Sequence, residues 1–267
     1  MALSGIEKGS GCPHFPRCVE SNGARRPGDM KESILELVNR TETQAPAALR
    51  VDVIADFVCP WCYIGKHRLD EALASVLGPV QVAWHPFQLN PDMPDDGMPL
   101  EDYLRDKFGE PEALQPALDQ LSRLGAAEGL ELDFDRIARV PNTRAAHRLM
   151  KLAEIEGRQN ELAGRLFRAF FGEGRDIGRH DVLVDLGREA GLTPEAAAQY
   201  LDDERIDRIV LAEEEQARKA GVTGVPDYMI NKRLFVIGAQ SEATLLGAFD
   251  RAMFGEDSDL TVSDTLH

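Results

Sequence analysis

The sequence predicts an α/β protein in which both ends of the folded chain contribute to one small sheet, with an all-helical insertion between them. Three observations carry this prediction. A β-branched run at 51–58 is followed by a helical pattern and by a second strand pattern at 80–84. From about residue 100 to residue 220 the pattern is helical, with Gly and Pro between the helices. Strand patterns return at 228–231 and 234–237.

The first half of the sheet is predicted as a strand, a helix and a strand. Pro60 suits the first turn of the helix, where no backbone N–H is needed, and the helical pattern continues through Leu77. Gly78 and Pro79 then end the helix before the second strand. This order is the opening of a βαβ unit.

The insertion and the second half of the sheet are predicted from the same kinds of pattern. No strand is predicted between about 100 and 220. The returning strands are joined by a polar turn at Lys232 and Arg233, and Ser241 is a typical N-cap for a last helix that reaches Met253. The clearest helical patterns in the insertion cover residues 145–156, 162–171, 182–190 and 206–219.

Composition sets the limits of the folded part. Residues 1–49 are rich in Gly, Ser, Pro and Asn as far as Gly28 and carry nearly balanced charges, which predicts a mostly disordered extension. The expected parts are therefore this extension, a sheet domain of residues 50–98 and 221–257, a helical insertion domain of residues 99–220, and a tail of residues 258–267.

Charge and hydropathy exclude several classes of function. The 267-residue chain has 30 basic and 46 acidic side chains, and its net charge of −16 would repel a nucleic-acid backbone. No apolar run approaches the ~18 residues of a membrane span. The N-terminus lacks the features of a secretory signal. We therefore expect a cytoplasmic protein with neither nucleic acid nor membrane as a partner.

The four cysteines form two close pairs, Cys12 with Cys18 and Cys59 with Cys62. The second pair lies where the first strand meets the helix, so the Cys59 sulfur is expected beside the free N–H groups and the positive end of the helix dipole. Such a position stabilises a thiolate. Cys59 is therefore the expected nucleophile, and Cys62, one turn further on, is the expected resolving thiol.

The alternative for these cysteines is a zinc site in which Cys12 and Cys18 complete a set of four ligands. A ligand pair usually lies on a flexible knuckle rather than between a strand and a Pro-started helix, so the redox interpretation is preferred and no metal is expected. Cys12 and Cys18 by themselves allow three interpretations: a second exchangeable dithiol, a weak Cys–His metal site, or an inert tail.

Gly224, Val225 and Pro226 directly precede the returning strands and are the second feature that bears on chemistry. A proline at a strand start after Val and Gly predicts a cis Val225–Pro226 peptide. The backbone of Val225 would then be open to an extended substrate close to the dithiol, with Pro60 and Trp61 as further substrate contacts. A tight turn without function is the alternative for Pro226, and simple cover of the active-site rim is the alternative for Trp61.

Five segments of the sequence form a recognisable set: FVCPWCYIGK at 57–66, HPFQLNP at 85–91, NTRAAHRL at 142–149, GVP at 224–226 and VIGAQ at 236–240. Together they resemble the DsbA-type oxidoreductases of the FrnE branch, over roughly residues 51–250. The resemblance implies a thioredoxin-like fold with a large helical insertion and an activity in thiol–disulfide exchange. It also implies that Cys59, Cys62 and Pro226 act as nucleophile, resolving thiol and cis-proline.

The 2-hydroxychromene-2-carboxylate isomerases and kappa-class glutathione transferases resemble this chain in architecture but typically carry Ser in place of Cys59. The alternative function is therefore a glutathione-dependent isomerase or transferase that holds a small hydrophobic substrate in a deep apolar pocket. No cofactor is expected, apart from glutathione as reductant or co-substrate. The family usually has an apolar or aromatic residue after the cis-proline. Asp227 stands there in this chain, and we expect it to alter which substrates approach or to raise the Cys59 pKa.

Two histidines complete the candidate site. His85 follows the second strand and His147 lies in a helix of the insertion, and each is a candidate proton carrier near the dithiol. A hydrogen bond in the core or at a helix cap is the alternative for both. The sequence thus predicts an intracellular thiol–disulfide oxidoreductase or isomerase, monomeric or homodimeric, that acts on protein or small-molecule thiols and disulfides. A zinc-binding adaptor is the third hypothesis.

Overall fold

The computed structural model describes residues 49–109, 111–255 and 261–262. Residues 1–48 of the predicted N-terminal extension, with Cys12 and Cys18, therefore lie outside the described residues. So does the predicted C-terminal tail, apart from residues 261–262. Leu49, the last residue of the predicted extension, is buried and begins the first strand, so the predicted extension is one residue too long. The division of the rest into a sheet domain and an insertion domain with the boundaries given above stays a prediction.

Seven strands are present in the described residues: β1 (Leu49–Ala55), β2 (Val80–Pro86), β3 (Met98–Pro99), β4 (Arg139–Val140), β5 (Asp227–Ile230), β6 (Leu234–Ile237) and β7 (Thr261–Val262). Five of them form the main sheet, in the order β2–β1–β5–β6–β7. β1 runs parallel to β2 and antiparallel to β5. β5 and β6 are antiparallel, and β6 and β7 are parallel. At the centre of the sheet, the first strand of the described chain thus pairs with the first strand that follows the helical insertion.

Nine helices of more than one turn accompany the strands in the described residues. They are α1 (Pro60–Ala74), α2 (Leu100–Phe108), α3 (Pro111–Ala127), α4 (Arg144–Ile155), α5 (Gln159–Phe171), α6 (His180–Glu189), α7 (Pro194–Asp202), α8 (Glu204–Lys219) and α9 (Glu242–Phe254). Seven of the nine lie between β2 and β5, which confirms the predicted α/β fold with a helical insertion. None of the described helices is both long and apolar enough to cross a membrane.

The structure corrects three further sequence predictions, namely two element ends and the absence of strands between about 100 and 220. The first strand ends at Ala55 instead of continuing to 58, because the chain turns and Cys59 N donates to Asp56 O at 3.1 Å. The first helix ends at Ala74 rather than at Leu77, whose side chain is fully exposed. A strand does occur within 100–220, because β4 pairs with β3. Two residues are too few to show the alternation that reveals a strand.

Aromatic contacts hold the start of α1 against the helices that follow β2. The Tyr63 ring stacks on Phe167 and Phe171 of α5, with ring centroids 5.5 and 5.8 Å apart. Phe57, in the turn before α1, contacts Phe167 at 5.2 Å and His147 of α4 at 5.0 Å. All five rings are buried. Such pairs add about 0.5–1.5 kcal/mol each beyond the area that they bury, and here they fix the turn that carries both cysteines.

Candidate active site

Cys59 and Cys62 lie at the N-terminus of α1, as the sequence predicts. Cys59 is the N-cap residue, with φ −91° and ψ 115°, and Pro60 begins the helix. The Cys59 carbonyl accepts hydrogen bonds from the backbone N–H groups of Cys62 at 3.1 Å and Tyr63 at 3.3 Å. Both cysteines are free thiols. Cys62 is shielded as expected, with 1% of its surface exposed, but Cys59 is also buried, with only 4% exposed.

The peptide bond between Val225 and Pro226 is cis, which confirms the sequence prediction. It brings the returning chain against the first cysteine, since the Cys59 thiol donates to the carbonyl oxygen of Val225 over 3.6 Å. Val225 is half-buried and Gly224 before it is exposed. The backbone before β5 is therefore accessible from solvent, whereas the neighbouring Cys59 thiol is buried.

Trp61 is the exposed residue of the active-site turn, with 40% of its surface accessible. Its neighbour Pro60 is half-buried. Exposed large aromatic side chains are enriched where proteins bind partners. The position of Trp61 next to Cys59 therefore agrees with a contact to substrate, which stays a prediction, as does the assignment of Pro60.

The Cys62 thiol is held in its protonated form. Burial raises its pKa well above the ordinary value, and a hydrogen bond and charge interaction with Cys59 raise it further. The negative charge of Asp56 acts in the same direction, whereas a hydrogen bond with the Asp56 backbone opposes it. Any reaction in which Cys62 becomes a nucleophile must therefore remove a proton from a buried site.

Asp227 follows the cis-proline and is buried, with 4% of its surface exposed. Burial raises the pKa of its carboxyl to about 7, against an opposing hydrogen bond from the Gly238 backbone. Its Oδ1 atom has no hydrogen-bond partner among the described residues. The carboxyl is thus largely neutral below pH 7, so the repulsion expected from its charge acts only at higher pH.

His85 and His147 occupy different environments. His85 is partly exposed at the end of β2, and its Nε2 atom lies 2.9 Å from Asp52 Oδ1. Burial would raise the Asp52 pKa, but hydrogen bonds with His85 and Arg50 outweigh it and lower that pKa to about 2. His147 is buried, and its Nε2 atom lies 3.7 Å from Asp56 Oδ1 with no hydrogen-bond partner in the described structure. His85 thus makes a hydrogen bond, which is the alternative to its role as a proton carrier. Nε2 of His147 makes none within the described residues.

The sequence reasoning did not single out the polar residues that fix the loop after β2. The Leu89 N–H donates to Asp56 Oδ2 at 2.7 Å, and the Gln88 N–H donates to Glu214 of α8 at 3.1 Å. The Gln88 side chain also donates to Asn142 Oδ1 at 3.1 Å. Asp56 had a signal in the sequence, because it is an acidic residue directly after an apolar strand and three positions before Cys59. The others are recognisable only once their partners are known.

Within the described residues, no group of three or more His, Cys, Asp or Glu side chains is arranged to hold a metal ion. Cys12 and Cys18, the remaining half of the alternative zinc site, lie outside those residues. The choice between redox and zinc chemistry therefore rests on the surroundings of Cys59 and Cys62.

Residues 50–250 match the family described as DSBA-like thioredoxin domain, and the chain belongs to this family. A probable DsbA oxidoreductase from Streptomyces coelicolor is 33% identical, with a TM-score of 0.70 over 81% of this chain and 94% of that one. The uncharacterized protein YwbO from Bacillus subtilis (strain 168) is 28% identical over 68% of this chain and 86% of its own length. The cytosolic disulfide reductase DsbM from Pseudomonas aeruginosa is 25% identical, with a TM-score of 0.50 over 67% of this chain and 83% of that one. A structure of that reductase with GSH is also similar.

Proposed function

We propose that this protein is a thiol–disulfide oxidoreductase that works through a Cys59–Cys62 dithiol and a mixed-disulfide intermediate. One observation carries the proposal: two free thiols lie at the N-terminus of α1, with the Cys59 sulfur against the Val225 carbonyl at the cis-proline. The positive dipole end of α1 lies at Cys59, which supports Cys59 as the attacking sulfur.

The reaction proceeds in two exchanges. The Cys59 thiolate attacks one sulfur of a substrate disulfide, forms a mixed disulfide and displaces the other substrate sulfur as a thiolate. Cys62 then loses its proton and attacks the Cys59 sulfur, which releases the second substrate thiolate and leaves a Cys59–Cys62 disulfide. Two electrons have passed from the protein to the substrate. The same steps in reverse oxidise a substrate dithiol, and release before resolution permits isomerisation.

The proposed substrates are protein or small-molecule disulfides, and the proposed reductant is a low-molecular-weight thiol such as glutathione. The reductase from Pseudomonas aeruginosa, whose structure with GSH is similar, supports both choices. Its description as cytosolic also supports the cytoplasm as the proposed compartment. Under the reducing conditions of a cytoplasm, a dithiol of this kind would be kept reduced and would reduce its substrates.

Reduction of insulin by glutathione or dithiothreitol tests this function through precipitation of the insulin B chain. We expect the wild type to accelerate precipitation and Cys59→Ser to lose the acceleration completely, because the nucleophile is gone. Cys62→Ser should form a mixed disulfide with substrate that mass spectrometry detects and that turns over slowly. The matched control is the Cys12→Ser/Cys18→Ser variant, which removes the other two thiols and should retain activity. If the Cys59→Ser variant were as active as the wild type, the proposal would be overturned.

A further inference from the structure

A polar cavity lies between α1 and α5, and neither Cys59 nor Cys62 is among the residues that line it. Its volume is about 250 Å³, just below the range of about 300–1,000 Å³ that is typical of small-molecule sites. We propose that this cavity binds a small molecule through an oxyanion group, a carboxylate or a phosphate, with Lys66 as the central donor. The inference goes beyond the proposed function, because no step of the thiol–disulfide exchange uses the cavity.

Lys66 is a buried lysine, with only 9% of its side chain exposed. An ammonium group has three N–H donors, and among the described residues the Lys66 Nζ atom meets a single acceptor, Oδ2 of Asp70. Asp70 follows Lys66 by one turn of α1, which is the weaker order for an ion pair along a helix, so this pair alone gives no reason to bury the lysine. A buried charge is costly unless its other hydrogen bonds are made. The two remaining donors of Lys66 therefore require an acceptor that the described residues do not supply.

Gly164 of α5 leaves room beside this ammonium group. A Cβ atom built on Gly164 would lie 3.2 Å from Cε and 3.5 Å from Nζ of Lys66. Both residues line the cavity, so the ammonium lies at the cavity wall against a position that has no side chain. A larger residue at position 164 would enter the space beside the Lys66 donors.

A chain of hydrogen bonds holds the partner of Lys66 in place. Asn160 Nδ2 donates to Asp70 Oδ1 at 3.1 Å, and Trp84 Nε1 donates to Asn160 Oδ1 at 3.3 Å. Trp84 is buried in β2, so the chain connects the cavity to the core. Both Asp70 oxygens thus have donors within the protein, and the Lys66 ammonium is positioned before any ligand binds.

The charges around the cavity favour an anion. The lining has three cationic side chains and two carboxylates, which are those of Lys66, Arg165, Arg168, Asp70 and Glu161. Arg165 pairs with Glu161 at 3.2 Å, as Lys66 does with Asp70, so each carboxylate already has a cationic partner. One positive charge is left over, and it is that of Arg168.

Arg168 provides the second point of attachment for a ligand. It is exposed and forms no ion pair with the described residues, and it interacts with the Tyr63 hydroxyl. A guanidinium group binds carboxylates and phosphates with two parallel hydrogen bonds. A ligand oxyanion would thus meet the buried ammonium of Lys66 on one side and the exposed guanidinium of Arg168 on the other.

The lining also limits the rest of the ligand. Apart from Gly164, every lining residue has a charged or amide side chain, so the cavity suits a hydrophilic molecule rather than an apolar one. The net charge of −16 on the whole chain opposes anions, so binding depends on contact with these local donors. Carboxylates and phosphates offer the same oxygen acceptors, and the experiment below separates them.

Titration of the ¹⁵N-labelled, reduced protein with inorganic phosphate and with malonate, followed by NMR at constant ionic strength, tests the proposal. The backbone amide of Gly164 should shift in a saturable way with at least one of the two anions, and the anion that binds more tightly identifies the preferred group. We expect Lys66→Met to raise the Kd about 10-fold or more, because a hydrogen bond from a charged donor is lost, and Arg168→Gln to raise it about 2- to 10-fold. The matched control is Lys219→Met, which also removes a lysine paired with a carboxylate one helical turn away and should leave the Kd unchanged.

Each outcome decides the proposal. If neither anion shifts the Gly164 amide in a saturable way, the cavity holds only water and the proposal is wrong. Equal weakening by Lys66→Met and Lys219→Met would also contradict it, because anions would then respond to overall charge rather than to this site. If Lys66→Met does not fold, the exposed position Arg168 still decides, since an unchanged Kd in Arg168→Gln is incompatible with the proposal. No disulfide enters these titrations, so their failure is distinct from failure of the proposed function in the insulin assay.

Discussion

Asp227 directly follows the cis-proline, and its surroundings define what a carboxyl does at this position. The carboxyl is buried beside the cis-proline, and burial raises its pKa to about 7. In the unfolded chain it titrates at about 3.9. The folded protein therefore binds one more proton than the unfolded chain between these two values, and the contribution of Asp227 to the free energy of unfolding falls as the pH rises from 4 to 7.

This pH dependence of the free energy of unfolding leads to a prediction for Asp227→Asn. The free energy of unfolding of the variant minus that of the wild type should increase as the pH rises from 5 to 7 and level off above about pH 7.5. The full change from pH 4 amounts to about 4 kcal/mol, since each pKa unit corresponds to about 1.4 kcal/mol. Urea unfolding of the reduced proteins at pH 5, 6, 7 and 8 measures it. A difference that does not depend on pH would show that the buried carboxyl is already ionised at pH 5.

At this scale, the sequence predicts the residues that form local patterns and misses those that depend on distant partners. Cys59 and Cys62 follow from a strand that leads directly into a Pro-started helix. The cis peptide at Val225–Pro226 follows from a proline directly before another strand. The contact between Cys59 and Val225 joins positions 166 residues apart. The burial of Cys59 and the missing hydrogen bond of Nε2 in His147 depend on packing between elements, which periodicity does not describe.

Among the elements, α1 owes its place above the sheet to a glycine. A Cβ atom built on Gly65 would lie 2.3 Å from the Tyr228 hydroxyl and 3.0 Å from Cγ of Pro226. Tyr228 is buried in β5, with 1% of its surface exposed, so its hydroxyl cannot move aside into solvent. The helix that carries both cysteines can therefore approach the cis-proline only because residue 65 has no side chain.

We accordingly expect Gly65→Ala to destabilise the protein by about 1–3 kcal/mol, the usual cost of forcing extra atoms into a packed interior. The matched control is Gly247→Ala in α9, where the added methyl group meets no atom within 4 Å. Alanine favours a helix over glycine, so this variant should be unchanged or up to about 1 kcal/mol more stable. Urea unfolding compares the two. If both variants behave alike, the close approach at Gly65 is not a constraint.

Elements could be predicted to the extent that their patterns were long. The amphipathic helices α4, α5, α6 and α8 follow the 3.6-residue period, and each lies within about two residues of its predicted bounds apart from the start of α5. The pair β3 and β4 is set instead by a tertiary contact between two-residue strands. The loop after β2 is held by Glu214 of α8 and Asn142, which are remote in the sequence.

For the molecule as a whole, the dominant property is an excess of negative charge. The chain carries 46 acidic and 30 basic side chains, a net charge of −16. Residues 1–50 are almost neutral, so this charge belongs to residues 51–267, which include the dithiol. A net field of this size attracts cations and repels anions over about 10 Å at an ionic strength of 0.1 M. It acts on the rate at which a charged substrate reaches Cys59 rather than on the exchange itself.

The charge therefore predicts a preference among otherwise equal substrates. Of two disulfide-linked peptides that differ only in carrying four lysines or four glutamates, the basic one should react faster with the reduced protein. Its advantage in second-order rate constant should be about 10-fold or more at an ionic strength of 0.01 M and should shrink toward unity at 0.5 M, because salt screens the field. A neutral peptide with the same disulfide should show little salt dependence and serves as the control. Faster reaction of the acidic peptide at low salt would mean that local charges around Trp61 and Gly224 outweigh the net charge of the molecule.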